Sequence, residues 1–137
     1  MGVLATYENK VLLCKRAIEP RKNLWNLPAG FLENGETAEE GALRETLEEA
    51  SATVKIEKLH CIYSIPKANQ VYLHFLAKME RPEFSVTPES TEVGLFTEDE
   101  IPWNEIAFSS TEFALRKYFE QGINYTGTHI GHILNIY

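Results

Sequence analysis

Residues 37–50, Thr-Ala-Glu-Glu-Gly-Ala-Leu-Arg-Glu-Thr-Leu-Glu-Glu-Ala, read as one short helix carrying a dense set of carboxylates. Thr37 and Glu40 have the T-x-x-E spacing of a capping box, which starts the helix at Thr37. The residues after it are good helix formers. At about 100° per residue, Arg44, Glu45, Glu48 and Glu49 fall within roughly 140° of one another. Ala42, Leu43, Thr46, Leu47 and Ala50 take the opposite arc and are expected to pack on a sheet. Gly41 sits among the acids and leaves that face open.

Glu45 is three residues from Glu48 and four from Glu49, so like charges meet twice, at a cost of a few tenths of a kcal/mol per solvated pair. Arg44 to Glu48 is the one compensating i,i+4 pair. Two readings follow. One is a solvated acidic face. The other is a carboxylate site for Mg²⁺ or Mn²⁺, hard cations that take oxygen ligands and bridge substrate phosphates. The loop ahead of the helix favours the second. Leu24-Trp25-Asn26-Leu27-Pro28-Ala29-Gly30 is apolar and stiff, and Gly30 has the backbone freedom to turn a carbonyl toward a metal. Asn34-Gly35 then marks a tight turn into the helix.

Composition sets outer bounds. At 137 residues the chain is expected to be one domain, residues 1–137, with a single core. Its net charge of -7 argues against a general nucleic-acid binder. An acidic protein can still act on phosphates if metals invert the local field. No apolar run is long enough for a membrane span, and no basic-then-apolar leader is present. Cys14 and Cys61 have no partnered spacing and read as buried thiols of a reducing compartment, so a cytoplasmic protein is expected.

A pass along the chain gives strands over 2–7 and 10–17, hairpinned at Glu8-Asn9. Further strands follow over 53–64, 71–78 and 92–97. A second helix over 110–121 ends at Gly122, and the tail after Asn124 carries no clear signal. Strands interleaved with two helices fit a mixed sheet between helices.

Gly30, five residues, Glu36, seven residues, then Arg44-Glu45-x-x-Glu48-Glu49 resembles the signature of the Nudix hydrolases. Thr46 and Ser51 depart from it, standing where an aliphatic residue and a glycine are usual. Both are structural places, and a left-handed Ser51 would cost about 1 kcal/mol against glycine. Val11–Arg16, Trp25–Gly30 and Leu95–Pro102 resemble further parts of a Nudix domain. The segments 12–20, 88–92 and 101–110 resemble the branch described as ADP-ribose or FAD pyrophosphatases. Members of that branch often carry an amino-terminal zinc ribbon; with Cys14 and Cys61 alone, no ribbon is expected here.

The resemblance implies an α/β/α sandwich with a mixed sheet and metal-dependent hydrolysis of a nucleoside diphosphate linked to another group. It implies Glu48 and Glu49 as metal ligands, Glu45 as ligand or base, and Arg44 as the residue that orients Glu45. Glu36 would close an ion pair with Arg44 or bind an outer metal. Gly30 would add its carbonyl. The base is a helix glutamate or one on a distal loop, where Glu89 is preferred over Glu92. Arg16 and Arg21 are candidates for the substrate phosphates. Trp25, Tyr63 and Phe108 could stack a ring, against the alternative that they are core. None of the four histidines has the spacing of a metal site. Relatives often pair, so a homodimer belongs to the same expectation. The alternatives are a house-cleaning nucleoside triphosphatase and a non-catalytic nucleotide sensor.

Overall fold

A computed structural model describes residues 1–122 and 124–137. The chain opens as a hairpin, β1 (Gly2–Tyr7) and β2 (Lys10–Arg16), turning through Glu8 at φ 55°. A two-residue strand, β3 (Trp25–Asn26), precedes helix α1 (Ala38–Ala50). A long hairpin of β4 (Val54–Ile65) and β5 (Gln70–Met79) follows, then β6 (Ser90–Phe96), helix α2 (Ser109–Gln121) and β7 (His129–His132).

The described residues form a seven-stranded mixed sheet in the order β3-β2-β1-β5-β4-β7, with β6 on the other edge of β2. β1 runs parallel to β5, and β7 parallel to β4; the hairpin pairs are antiparallel. Strand alternation splits the core into two layers. Val3, Ala5, Leu12, Cys14, Phe75 and Ala77 face α1. Leu4, Leu13, Leu27, Cys61 and Leu76 face α2. This is the expected α/β/α sandwich.

Local chemistry sets the boundaries of α1. Thr37 Oγ1 accepts from Glu40 N at 3.1 Å, and Glu40 Oε1 accepts from Thr37 N at 2.8 Å. At the other end Ser51 adopts φ 50°, ψ 35°, and its N–H donates to the Leu47 carbonyl. The non-glycine residue takes the left-handed turn anticipated for it. Gly122 closes α2 at φ 70°.

One expectation is corrected. The sheet-facing side of α1 holds Gly41, Ala42, Glu45, Thr46, Glu49 and Ala50, whereas Leu43 and Leu47 are 39 % and 57 % exposed. The helix is turned so that its small residues meet the sheet and two of its acids are buried beside them. The Thr46 hydroxyl is satisfied by the Ala42 carbonyl at 2.8 Å, which lets a polar residue take an aliphatic place. The tail is not shapeless: β7 extends the sheet at the edge of β4.

Candidate active site

Glu45 and Glu49 lie one turn apart on the buried side of α1, at the mouth of a cleft of about 1000 Å³. The loop ahead of the helix passes directly over them. Ala29 N donates to Glu49 Oε2 at 2.7 Å. A Cβ placed on Gly30 would stand 2.3 Å from the Glu45 carboxyl carbon, so only glycine lets the backbone pass this close.

The third acid comes from the loop just ahead of β6. Ala17 N donates to the Glu89 carbonyl at 3.1 Å, and Glu89 N donates to Thr87 Oγ1 at 3.1 Å. This anchored loop swings Glu89 over the end of β2. Glu45, Glu49 and Glu89 each place a carboxylate oxygen within 4.8 Å of the others.

Such an arrangement is electrostatically uncomfortable. Burial, then the charge of Glu45, pushes Glu49 up to about 9, against the opposing pull of the Ala29 N–H. Burial and the neighbouring Glu45 and Glu48 also raise Glu89. Two neighbours oppose the repulsion. The positive charge of Arg16 acts on both Glu49 and Glu89. Arg44 Nη1 donates to Glu45 Oε1 at 2.8 Å and to Glu48 Oε2 at 3.1 Å. Three oxygen donors this close together, two of them on buried residues, are the donor set a hard divalent cation takes. The cluster therefore fits a hard divalent cation.

Arg44 is the hub of the outer layer. Its Nη2 donates to Glu36 Oε1 at 2.7 Å and to the Phe31 carbonyl at 3.0 Å, and its Nε donates to Glu36 Oε2 at 3.1 Å. Both oxygens of Glu36 are thus engaged by arginine. Of its two anticipated roles the structure displays the ion pair, and Glu36 is outside the three-carboxylate cluster.

Other anticipated ligands also sit differently. The Glu48 side chain is 44 % exposed and is held on the outer flank by Arg44, so it is not one of the three converging acids. The Gly30 carbonyl accepts from the Met1 amino group at 2.9 Å; what Gly30 supplies in this arrangement is space for Glu45.

Among the anticipated substrate contacts, Arg16 lines the cleft. Its Nε donates to the Pro20 carbonyl at 2.7 Å, and its guanidinium lies 5.1 Å from the Phe108 ring centre. Phe108 lines the cleft as well. Arg21 does not line the cleft; its Nε donates to the Ala107 carbonyl at 2.8 Å and its guanidinium lies over the ring of Tyr137, which does. Trp25 is core: it is 8 % exposed and meets Phe96 edge-on at 5.0 Å. It has no free face to stack a ligand, because strand alternation turns it under α2. Tyr63 is likewise buried, against Phe113.

The cleft is also lined by residues that motif spacing did not single out. Asn26 Oδ1 and His74 Nδ1 are buried without hydrogen-bond partners, and both residues line the cleft. The only trace of them in the sequence is a polar residue standing in an apolar strand context.

The NUDIX domain profile matches residues 1–118. An ADP-ribose pyrophosphatase of Methanocaldococcus jannaschii is 32 % identical over 99 residues, covering 69 % of this chain and 59 % of the relative. An ADP-ribose pyrophosphatase of Bacillus subtilis is 35 % identical over 120 residues, covering 85 % of this chain and 60 % of the relative. The chain thus spans about three fifths of the length of these curated relatives. The crystal structure of a NUDIX hydrolase from Nitrosomonas europaea superposes with a TM-score of 0.91 at 50 % identity, covering 96 % of this chain and 76 % of that one. The acid-bearing helix, its glycine-guarded loop and a profile match over most of the chain place this protein in the Nudix hydrolase family.

Proposed function

We propose that this chain hydrolyses the pyrophosphate bond of a nucleoside diphosphate linked to another group, with ADP-ribose the favoured substrate, and that it uses Mg²⁺ or Mn²⁺. The observation that carries this reading is the convergence of Glu45, Glu49 and Glu89 at the mouth of a large cleft. The names of the two curated relatives favour ADP-ribose. FAD is the second substrate to examine, on the sequence resemblance alone.

Diphosphate hydrolysis adds water to one phosphorus and releases the bridging oxygen with the other phosphate. A bound divalent cation would shield phosphate charge and acidify a water. The rest falls to the chain. Glu45 and Glu49 would hold the ion from the helix. Glu89, at the rim, has a carboxyl whose pKa burial and the neighbouring acids raise, which suits it to take the proton of the attacking water. Arg44 is a positioning residue that fixes Glu45. Arg16 uses its Nε on the Pro20 carbonyl, which leaves its Nη groups for a phosphate.

The test is a substrate panel with product identification, run with Mg²⁺ and with chelator. AMP plus ribose phosphate from ADP-ribose, lost on chelation, is the expected result. Pyrophosphate released from nucleoside triphosphates, with ADP-ribose untouched, would replace this reading by a triphosphatase. Tight nucleotide binding without turnover would replace it by a sensor.

A further inference from the structure

His74 occupies a place where folding alone favours an aliphatic side chain. It lies on β5 two residues before Leu76, on the same strand face, in the layer under α2. It is 1 % exposed, and Nδ1 has no hydrogen-bond partner. An unpaired buried nitrogen is a cost that cores ordinarily avoid. Burial drives its pKa down to about 3, so the ring is neutral at physiological pH. The imidazole is stacked on Tyr72, with ring centres 5.8 Å apart and planes 9° apart, which fixes its orientation.

The position of this ring ties it to the active site. His74 lines the same cleft as Glu45 and Glu49. Gly2 of β1 pairs with His74 on one side and bridges to Ala29 on the other, so only one strand separates His74 from the loop that covers the acids. A neutral imidazole has no charge to offer a phosphate. It has one N–H donor and one nitrogen acceptor, which together suit a hydroxyl. The phosphates of a substrate would instead meet Arg16 and a cation held by the carboxylates.

We infer that His74 is a specificity-determining residue that hydrogen-bonds a sugar hydroxyl of the bound nucleotide substrate. This rests on the proposed hydrolysis of a nucleoside diphosphate sugar. The ligand supplies the partner that the fold withholds from Nδ1, and a substrate lacking that hydroxyl leaves the nitrogen unpaired in the complex.

The experiment is a cycle of enzyme and substrate changes. Wild type, His74→Phe and His74→Gln are assayed with ADP-ribose and with analogues that each lack one sugar hydroxyl. His74→Phe keeps an aromatic ring on Tyr72. For one analogue, wild type is expected to lose about tenfold or more in kcat/KM, and His74→Phe to show the same loss on ADP-ribose with no further loss on that analogue. His74→Gln, which keeps a donor and an acceptor, recovers part of the discrimination. If His74→Phe discriminates among the analogues as wild type does, His74 is a packing residue and the inference fails alone. If His74→Phe does not fold, His74→Leu, which fits the apolar layer and has no hydrogen-bonding group, carries the test: discrimination equal to wild type for every analogue overturns the inference. If wild type does not turn over ADP-ribose, the proposed substrate and this subsite fall together.

Discussion

Arg44 holds Glu36 through both carboxylate oxygens, Nη2 to Oε1 at 2.7 Å and Nε to Oε2 at 3.1 Å. The two residues are eight apart in sequence and are brought together by the turn between the glycine loop and α1. The same guanidinium steadies Glu45. The ion pair therefore transmits the loop's position to a carboxylate of the cluster. Arg44→Ala should lower kcat by about 100-fold with a smaller effect on KM, because a small misplacement of a reacting group is that costly. Arg44→Lys should not rescue it, since a point charge cannot make the forked contact. Steady-state kinetics of both variants check this; full rescue by lysine would contradict the positioning role.

Gly30 offers a second, steric test. Any side chain there meets the Glu45 carboxyl at 2.3–2.5 Å. Gly30→Ala should displace either the loop or the acid and reduce kcat by about tenfold or more. Circular dichroism should report an intact fold. Activity within twofold of wild type would show that Glu45 is free to move.

These two positions show what the sequence made legible. Spacing alone located α1, its Thr37 cap and the acids, because each is a local rule of helix chemistry; the turn at Ser51 was raised only by the resemblance, which has a glycine there. The facing of α1 was less accessible. A helical wheel groups Leu43 and Leu47 with Ala42 and Ala50, but small residues allow the helix to approach the sheet closely, and the two leucines are left outside. Which acids converge also depends on tertiary structure. Glu89 joins through a loop tied to Ala17, while Glu48 is drawn aside by Arg44. Trp25 and Arg21 carry suitable chemistry, yet strand alternation packs Trp25 under α2 and the Ala107 carbonyl holds Arg21 behind Tyr137, so neither lines the cleft. His74 left no motif at all, since its significance lies in a missing partner.

Ser51 gives a stability prediction independent of activity. Its backbone sits at φ 50°, a region glycine enters without steric cost. Ser51→Gly should stabilise the fold by about 0.5–1 kcal/mol, read as a higher denaturant midpoint at unchanged slope. A lower midpoint would mean that the serine side chain contributes more than the strain it carries.

The raised Glu49 predicts a pH dependence of the metal-free protein. Its pKa in the fold, about 9, lies above its ordinary value of 4.5. Between these values the folded state binds more protons than the unfolded one, so this group's contribution to stability is full below about 4.5 and is lost as pH rises toward about 9. Thermal melting in chelator should therefore fall from pH 5 to pH 9. Glu49→Gln should flatten that slope, and added Mg²⁺ should raise the melting temperature more at pH 8 than at pH 6, because the ion binds the ionised carboxylates. A slope unchanged by Glu49→Gln would remove Glu49 as its source.

The central claim is that the carboxylate cluster, built on Glu49, is the metal site of a diphosphate hydrolase. The most direct measurement is the initial rate of ADP-ribose hydrolysis at saturating Mg²⁺ for wild type and Glu49→Gln, a substitution that keeps shape and can still accept the Ala29 N–H. The expected result is magnesium-dependent turnover by wild type and a loss of about 1000-fold or more in the variant, as when a metal's charge stabilisation of several kcal/mol is removed. A Glu49→Gln enzyme within tenfold of wild type would contradict it.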